Sequence, residues 1–90
     1  MKLTVYSKTV CPYCVNAKNF LKAKNIPFEE INIEQSDEAR QFIIDKGHRT
    51  VPQIYFQGEL FVEGGFQGLS KMTEHDIRDR MNPTSNLGTL

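Results

Sequence analysis

The two cysteines of this chain stand two residues apart in Val10-Cys11-Pro12-Tyr13-Cys14, and a helical pattern begins directly at the pair. Leu3, Thr4, Val5 and Tyr6 form a short β-type run, and Ser7-Lys8-Thr9-Val10 reads as the loop that carries the chain from that strand to Cys11. From Pro12 onward Cys14, Ala17 and Leu21, with the flanking Phe20, recur at helical spacing. Lysines at 18, 22 and 24 fall on other faces, and Asn25 ahead of Ile26-Pro27 suits a helix stop. A strand therefore feeds a thiol pair set at a helix start.

That placement has chemical consequences. Residues i and i+3 at a helix N-terminus lie roughly 5 Å apart between Cα atoms, inside the range a disulfide accepts, so the bond opens and closes with little movement. At the first turn Cys11 faces unpaired backbone N–H groups and the positive end of the helix dipole. These stabilise a thiolate and lower a thiol pKa from about 8.5 into a range of roughly 3.5–7.5. Cys11 is the expected nucleophile. Pro12 suits the first helical position, where its missing N–H costs nothing, and Lys8 is the nearest cation in sequence. Cys14, one turn further in, is suited to resolve a mixed disulfide formed on Cys11.

Ninety residues make one small domain that does not ordinarily need disulfides or metal to hold its core, so the pair reads as reactive rather than structural. Net charge is zero, so the overall balance gives no electrostatic reason to expect nucleic acid or an anionic membrane as partner. The N-terminal apolar run is too short for a secretory signal, and no segment approaches the roughly 18 to 20 apolar residues of a membrane span. The expectation is a cytoplasmic protein, where a C-x-x-C pair is catalytic or metal-binding rather than a permanent crosslink. A closed zinc site needs four ligands, and His48 and His75 lack the spacing of a finger, so no metal is expected and neither histidine is assigned a catalytic role.

Further along, residues 28–33 alternate as a second strand, and Ser36 followed by Asp37 and Glu38 is an N-cap with acids placed for the dipole. Ala39, Phe42, Ile43 and Lys46 carry that helix to Gly47. Residues 53–56 and 60–62 flank Gly58 as a hairpin, Gly64-Gly65 breaks the strand, and Leu69, Met72, Ile77 and Met81 sketch a final helix that a capping box at Thr73 could restart. The predicted order is β-α-β-α-β-β-α. One domain over residues 1–82 is expected, with 83–90 as a flexible tail.

Cys11-Pro12-Tyr13-Cys14, Thr50-Val51-Pro52 ahead of a strand, and Gly64-Gly65 after a hairpin occur in an order and spacing that closely resemble a dithiol glutaredoxin of the thioredoxin superfamily. The resemblance covers residues 2 to about 81. It implies an α/β thioredoxin-like fold: a four-stranded mixed sheet of order 2-1-3-4 with about three helices, and a cis Val51-Pro52 bond beside the thiols. It also implies a glutathione-dependent thiol-disulfide oxidoreductase that reduces protein disulfides and glutathione mixed disulfides through Cys11 and Cys14.

By the same resemblance glutathione, as reducing co-substrate, lies in a groove formed by Lys8, Tyr13, Thr50, Val51 and Pro52. The turn Gly64, Gly65, Phe66 and Gln67 completes that groove. Arg40 and Arg49 are read either as further cations of the groove or as solvated surface residues. The implied partners are glutathione and disulfide-containing or glutathionylated proteins, with ribonucleotide reductase a candidate within the family, and the protein is expected to be a monomer.

The chain departs from the family pattern after Gly65. Where an acid is usual it reads Phe66-Gln67-Gly68-Leu69, leaving no carboxylate in that run to meet the glutathione amine; an acid at Gly68, at the start of the following helix, is expected to restore one. This departure keeps open a thioredoxin-like mini-reductant served by a flavoprotein reductase. A glutathione-ligated iron–sulfur cluster carrier is a third reading.

Overall fold

β1 (Leu3–Ser7) alternates strictly between fully buried Leu3, Val5 and Ser7 and half-buried Thr4 and Tyr6, and this alternation places it inside the sheet. The computed structural model of the chain describes residues 2–81. The expected tail, residues 83–90, lies outside the described residues. β1 pairs in parallel with β2 (Phe28–Asn32), Leu3 opposite Phe28 and Ser7 opposite Asn32, and antiparallel with β3 (Gln53–Phe56), Val5 opposite Ile54. β4 (Glu59–Val62) returns antiparallel to β3 after the two-residue turn Gln57-Gly58, with a register irregularity at Ile54/Tyr55. The sheet order β2-β1-β3-β4 is the one the resemblance implies.

The two faces of the sheet bury different chemistry. Leu3, Val5 and Ile54 point to one side, where they pack with Ala17, Leu21 and Ile26 from α1 (Pro12–Ala23) and its end. Leu69 of α3 (Gly65–Leu69) and Ile77 and Met81 of α4 (Glu74–Met81) complete that core. On the other side Tyr6 and Tyr55 meet Phe42 of α2 (Asp37–Asp45), with ring centroids 5.2 to 5.6 Å apart. The result is an α/β/α layering in which α2 is the helix on the aromatic face among the described residues.

Local signals place the helix ends. Ser36 Oγ accepts the Ala39 amide at 3.2 Å, and α2 closes with the His48 amide donating to Ile43 O and Gly47 to Ile44 O. α1 closes the same way, with Asn25 in the left-handed region at φ 57° and Ile26 donating to Leu21 O. Arg78 of α4 reaches across to donate to the carbonyls of Lys24 and Asn25, placing a cation at the negative end of α1.

The last helical stretch is two helices rather than one, which makes four among the described residues. Asp76 N–H donates to Thr73 Oγ1 at 3.0 Å while Thr73 N–H donates to Asp76 Oδ2 at 3.2 Å, so the capping box does restart the chain at Thr73. No helix among the described residues is long and apolar enough to cross a membrane.

The expectation that Gly68 opens a helix and would accept an acid is overturned. Gly68 lies inside α3, and a Cβ there would overlap the carbonyl oxygen of Glu63 and sit 3.1 Å from Val62 Cγ2. The absent side chain is what lets α3 lie directly on the end of β4. Gly68→Ala, despite a helix-propensity gain of about 1 kcal/mol, is expected to lose roughly 1–3 kcal/mol in denaturant unfolding through overpacking against rigid backbone, and Gly68→Asp more.

A polar link fixes α1 to the sheet. Ser7 Oγ donates to Glu30 Oε2 at 2.6 Å, and Lys18 Nζ of α1 lies 3.0 Å from the same oxygen. The Ser7 hydroxyl first, then Lys18, hold the Glu30 carboxyl below the usual glutamate range. A depressed folded value means that this stabilisation is present above the unfolded pKa and is lost as pH falls through the folded one. Glu30→Gln should therefore flatten the acid limb of a melting-temperature profile, with a deficit of about 1 kcal/mol at pH 7 that closes in acid.

Candidate functional site

The loop after β1 is tied down before it reaches the thiols. Thr9 N–H donates to Glu34 Oε1 at 2.8 Å, Asn32 Nδ2 donates to Thr9 Oγ1 at 3.2 Å, and Glu34 N–H donates to Asn32 Oδ1 at 2.8 Å. The Thr9 hydrogen bonds, with the Lys8 charge nearby, hold the Glu34 carboxyl below its usual range. Cys11 follows in extended geometry (φ −154°, ψ 95°) as the N-cap of α1, with Pro12 next. Its Sγ accepts the Cys14 amide at 3.1 Å, the bond that a serine or aspartate oxygen makes at other helix starts.

The two sulfurs are joined in a disulfide across Cα atoms 5.2 Å apart. Cys11 is 8 % exposed and Cys14 2 %, so the first thiol is the more accessible and the second faces the core. Once the pair is reduced, the Cys14 N–H and the dipole of α1 both favour negative charge on Cys11 over Cys14. The Val51 carbonyl oxygen lies 3.7 Å from Cys11 Sγ; a disulfide sulfur has no proton to donate, so this is a packing contact that sets the thiol against the loop before β3.

Val51-Pro52 is cis, as the resemblance implies. Two neighbours hold this loop. The buried Gln53 donates its amide to Thr50 O at 2.8 Å, and Gly65, at φ 57°, comes so close that a Cβ there would stand 2.7 Å from Pro52 O. Gly-Gly is thus explained by close approach of one loop to another as well as by its backbone angles.

Two cavities open on either side of Thr50 and Val51. The larger, about 600 Å³, is bounded by Tyr13, Thr50, Val51, Pro52, Gly64, Gly65, Phe66 and Gln67. The smaller, about 350 Å³, is bounded by Lys8, Arg40, Arg49, Thr50 and Val51. Every groove residue expected from the sequence therefore borders one of the two, with Arg40 and Arg49 on the cationic side. Tyr13, 56 % exposed, leans over the Phe66 ring at 6.5 Å to form a wall of the larger cavity.

Sequence reasoning missed His48, Gln53, Leu60 and Glu63, which also line the larger cavity, His48 bordering both. Glu63 places a carboxylate beside the run read as lacking one. His48 sits just after the α2 stop, its Nε2 2.7 Å from the Tyr55 hydroxyl, whose pKa burial raises. The only sequence signal for these residues was adjacency to the Thr50-Val51-Pro52 and Gly64-Gly65 segments. Among the described residues no cluster of three or more His, Cys, Asp or Glu is placed to hold a metal ion.

Residues 3–61 match the glutaredoxin family model. Glutaredoxin 3 of Escherichia coli K12 is 38 % identical over 80 residues, covering 88 % of this chain and 90 % of that protein. A buckwheat glutaredoxin–glutathione complex superposes with a TM-score of 0.70 at 25 % identity, over 92 % of this chain and 78 % of that one. Escherichia coli NrdH-redoxin, a glutaredoxin-like protein with a thioredoxin-like activity profile, gives 0.60 at 27 % identity over 62 % and 74 %. The family match spans the strand, the thiol helix and the loop that meets it, and on that ground this chain belongs to the glutaredoxin family, with the disulfide-forming pair of a thiol-disulfide oxidoreductase.

Proposed function

We propose that the protein reduces protein disulfides and glutathione mixed disulfides in a cytoplasmic setting, with Cys11 as nucleophile, Cys14 as resolving thiol and glutathione as reductant. The observation that carries this reading is the position of Cys11 Sγ: at the N-cap of α1, accepting the Cys14 amide, 3.7 Å from Val51 O where the two cavities meet. The Cys11 thiolate attacks one sulfur of a substrate disulfide, forming a mixed disulfide and releasing the other sulfur as a thiolate that takes a proton from water. Cys14 then attacks the Cys11 sulfur, releases the second substrate thiolate and leaves the Cys11–Cys14 disulfide. Two electrons have passed from dithiol to substrate.

Two glutathione thiolates restore the dithiol. The first opens the internal disulfide to leave Cys11 joined to glutathione, and the second attacks the bound glutathione sulfur, which leaves as glutathione disulfide. The residues suit this partner. Lys8, Arg40 and Arg49 offer charge to carboxylates, the Thr50-Val51 main chain offers peptide hydrogen-bonding groups, and the Gly64-Gly65 turn admits a close approach. The similarity to a glutaredoxin that binds glutathione supports the same reading.

A second reading, reduction by a flavoprotein reductase, is favoured by one observation: α3 presents no carboxylate next to the larger cavity, and Gly68 has no room for one. The similarity to NrdH-redoxin, with its thioredoxin-like activity profile, is consistent with it. Steady-state reduction of a glutathione mixed disulfide decides between the two. Turnover with glutathione alone supports the first reading, whereas turnover only with a thioredoxin reductase overturns it.

In that assay Cys11→Ser should lose at least 1,000-fold, since a serine hydroxyl is not ionised at neutral pH as a helix-start thiol is. Cys14→Ser should keep activity on glutathione mixed disulfides, which glutathione itself resolves, and lose protein disulfides that need the second, internal attack. Loss of both activities in folded Cys14→Ser protein would contradict the division of roles. Alkylation of the reduced wild type should modify Cys11 well before Cys14 at pH 6.

A further inference from the structure

The two cavities that meet at Val51 carry opposite charge. Glu63, exposed just after β4, is the only carboxylate among the described residues bordering the larger one, and among those residues it enters no hydrogen bond or ion pair through its side chain. The smaller one has Lys8, Arg40 and Arg49 and no acid. Beyond it Glu34 and Asp37 border a third recess together with Lys8 and Arg40. Glu34 is engaged by Thr9, and Asp37 lies in the first turn of α2 where the helix dipole favours it. Three cations against two acids leave that end positive, and Arg40 and Arg49 have no ion-pair partner among the described residues.

Size and surroundings suit more than a single residue. The cavities run to either side of the Cys11 contact point, and exposed apolar side chains flank them: Val10 and Tyr13 beside the thiols, Leu60 at the larger cavity and Ile44 at the smaller. A protein segment lying along the Thr50-Val51 main chain would set residues on both sides of its cysteine against these two ends. The ends differ in sign.

We propose that Glu63 is a specificity-determining residue that reads charge order in protein substrates: it receives a basic residue on one side of the reacting cysteine, while Lys8, Arg40 and Arg49 receive an acidic one on the other. The proposal rests on Cys11 as nucleophile and does not depend on which reductant restores the dithiol. Exposed charges at such distances act on encounter and orientation more than on final affinity, and their effect is screened by salt. A carboxylate on the strand end, where the helix has no room for one, gives the cleft a direction.

The test is single-turnover oxidation of the pre-reduced protein by symmetrical peptide disulfides with blocked termini: Lys-Ala-Cys-Ala-Glu, the reverse order Glu-Ala-Cys-Ala-Lys, and a neutral peptide with Gln at both ends. In each the Cys11 thiolate displaces one peptide thiolate, Cys14 displaces the other, and two electrons leave the dithiol. At low ionic strength the wild type should favour one charge order over its reverse by about twofold to tenfold after normalising to the neutral peptide, and high salt should erase the preference. Glu63→Gln should shrink the preference, and Glu63→Lys should remove or invert it. Equal rates for the two orders in wild type, or a preference unchanged in folded Glu63→Gln, would overturn the proposal. Failure of every peptide to oxidise the protein would instead overturn the dithiol as a reductant of peptide disulfides and the proposal with it, and no arm of the experiment contains glutathione, so failure of the glutathione reading is seen separately.

Discussion

The bond from the Cys14 amide to Cys11 Sγ is the interaction on which the rest of the site is arranged. It makes a sulfur serve as the helix cap. With Cys11 as the proposed nucleophile, the group that would carry negative charge during reaction is the one the helix needs as an acceptor when it starts. Local stability and reactivity share a single contact. The contact works only if α1 begins at the right height above the sheet, which the Ser7–Glu30–Lys18 link and the Thr9–Asn32–Glu34 loop secure from two directions.

Features set by near neighbours in sequence were legible. Pro12 after Cys11, Ser36 ahead of two acids, Asn25 before Ile26-Pro27 and Thr73 three residues before Asp76 each encode a helix boundary in adjacent residues, and each boundary lies where that chemistry puts it. The β-type run from Leu3 to Tyr6 marked β1 for the same reason, while its alternation between buried and half-buried positions emerged only with the sheet. The sheet order and the cis bond at Val51-Pro52 were another matter. No local pattern contains them, and they were reached through resemblance.

What stayed hidden depends on contacts between distant segments. Gly68 reads as an ordinary small residue until Glu63 O is seen where its Cβ would stand, and Gln53 as an ordinary strand residue until its amide is found on Thr50 O. Glu63 and His48 become part of the site only because the β4 end and the α2 end arrive at the same edge as Val51. A single sequence without that edge cannot say which charged residues share a cleft.

All the segments that build the cleft lie at one end of the sheet: the exit of β1, the entry to β3 and the exit of β4. The Gln57-Gly58 turn joins β3 to β4 at the other end, with the four residues of each strand, about 13 Å, between it and the thiols. That geometry makes the turn a natural attachment point. A fluorophore, an electrode linker or an inserted peptide placed there would report on the redox couple from behind, leaving the mouth of the cleft open to whatever the dithiol reduces.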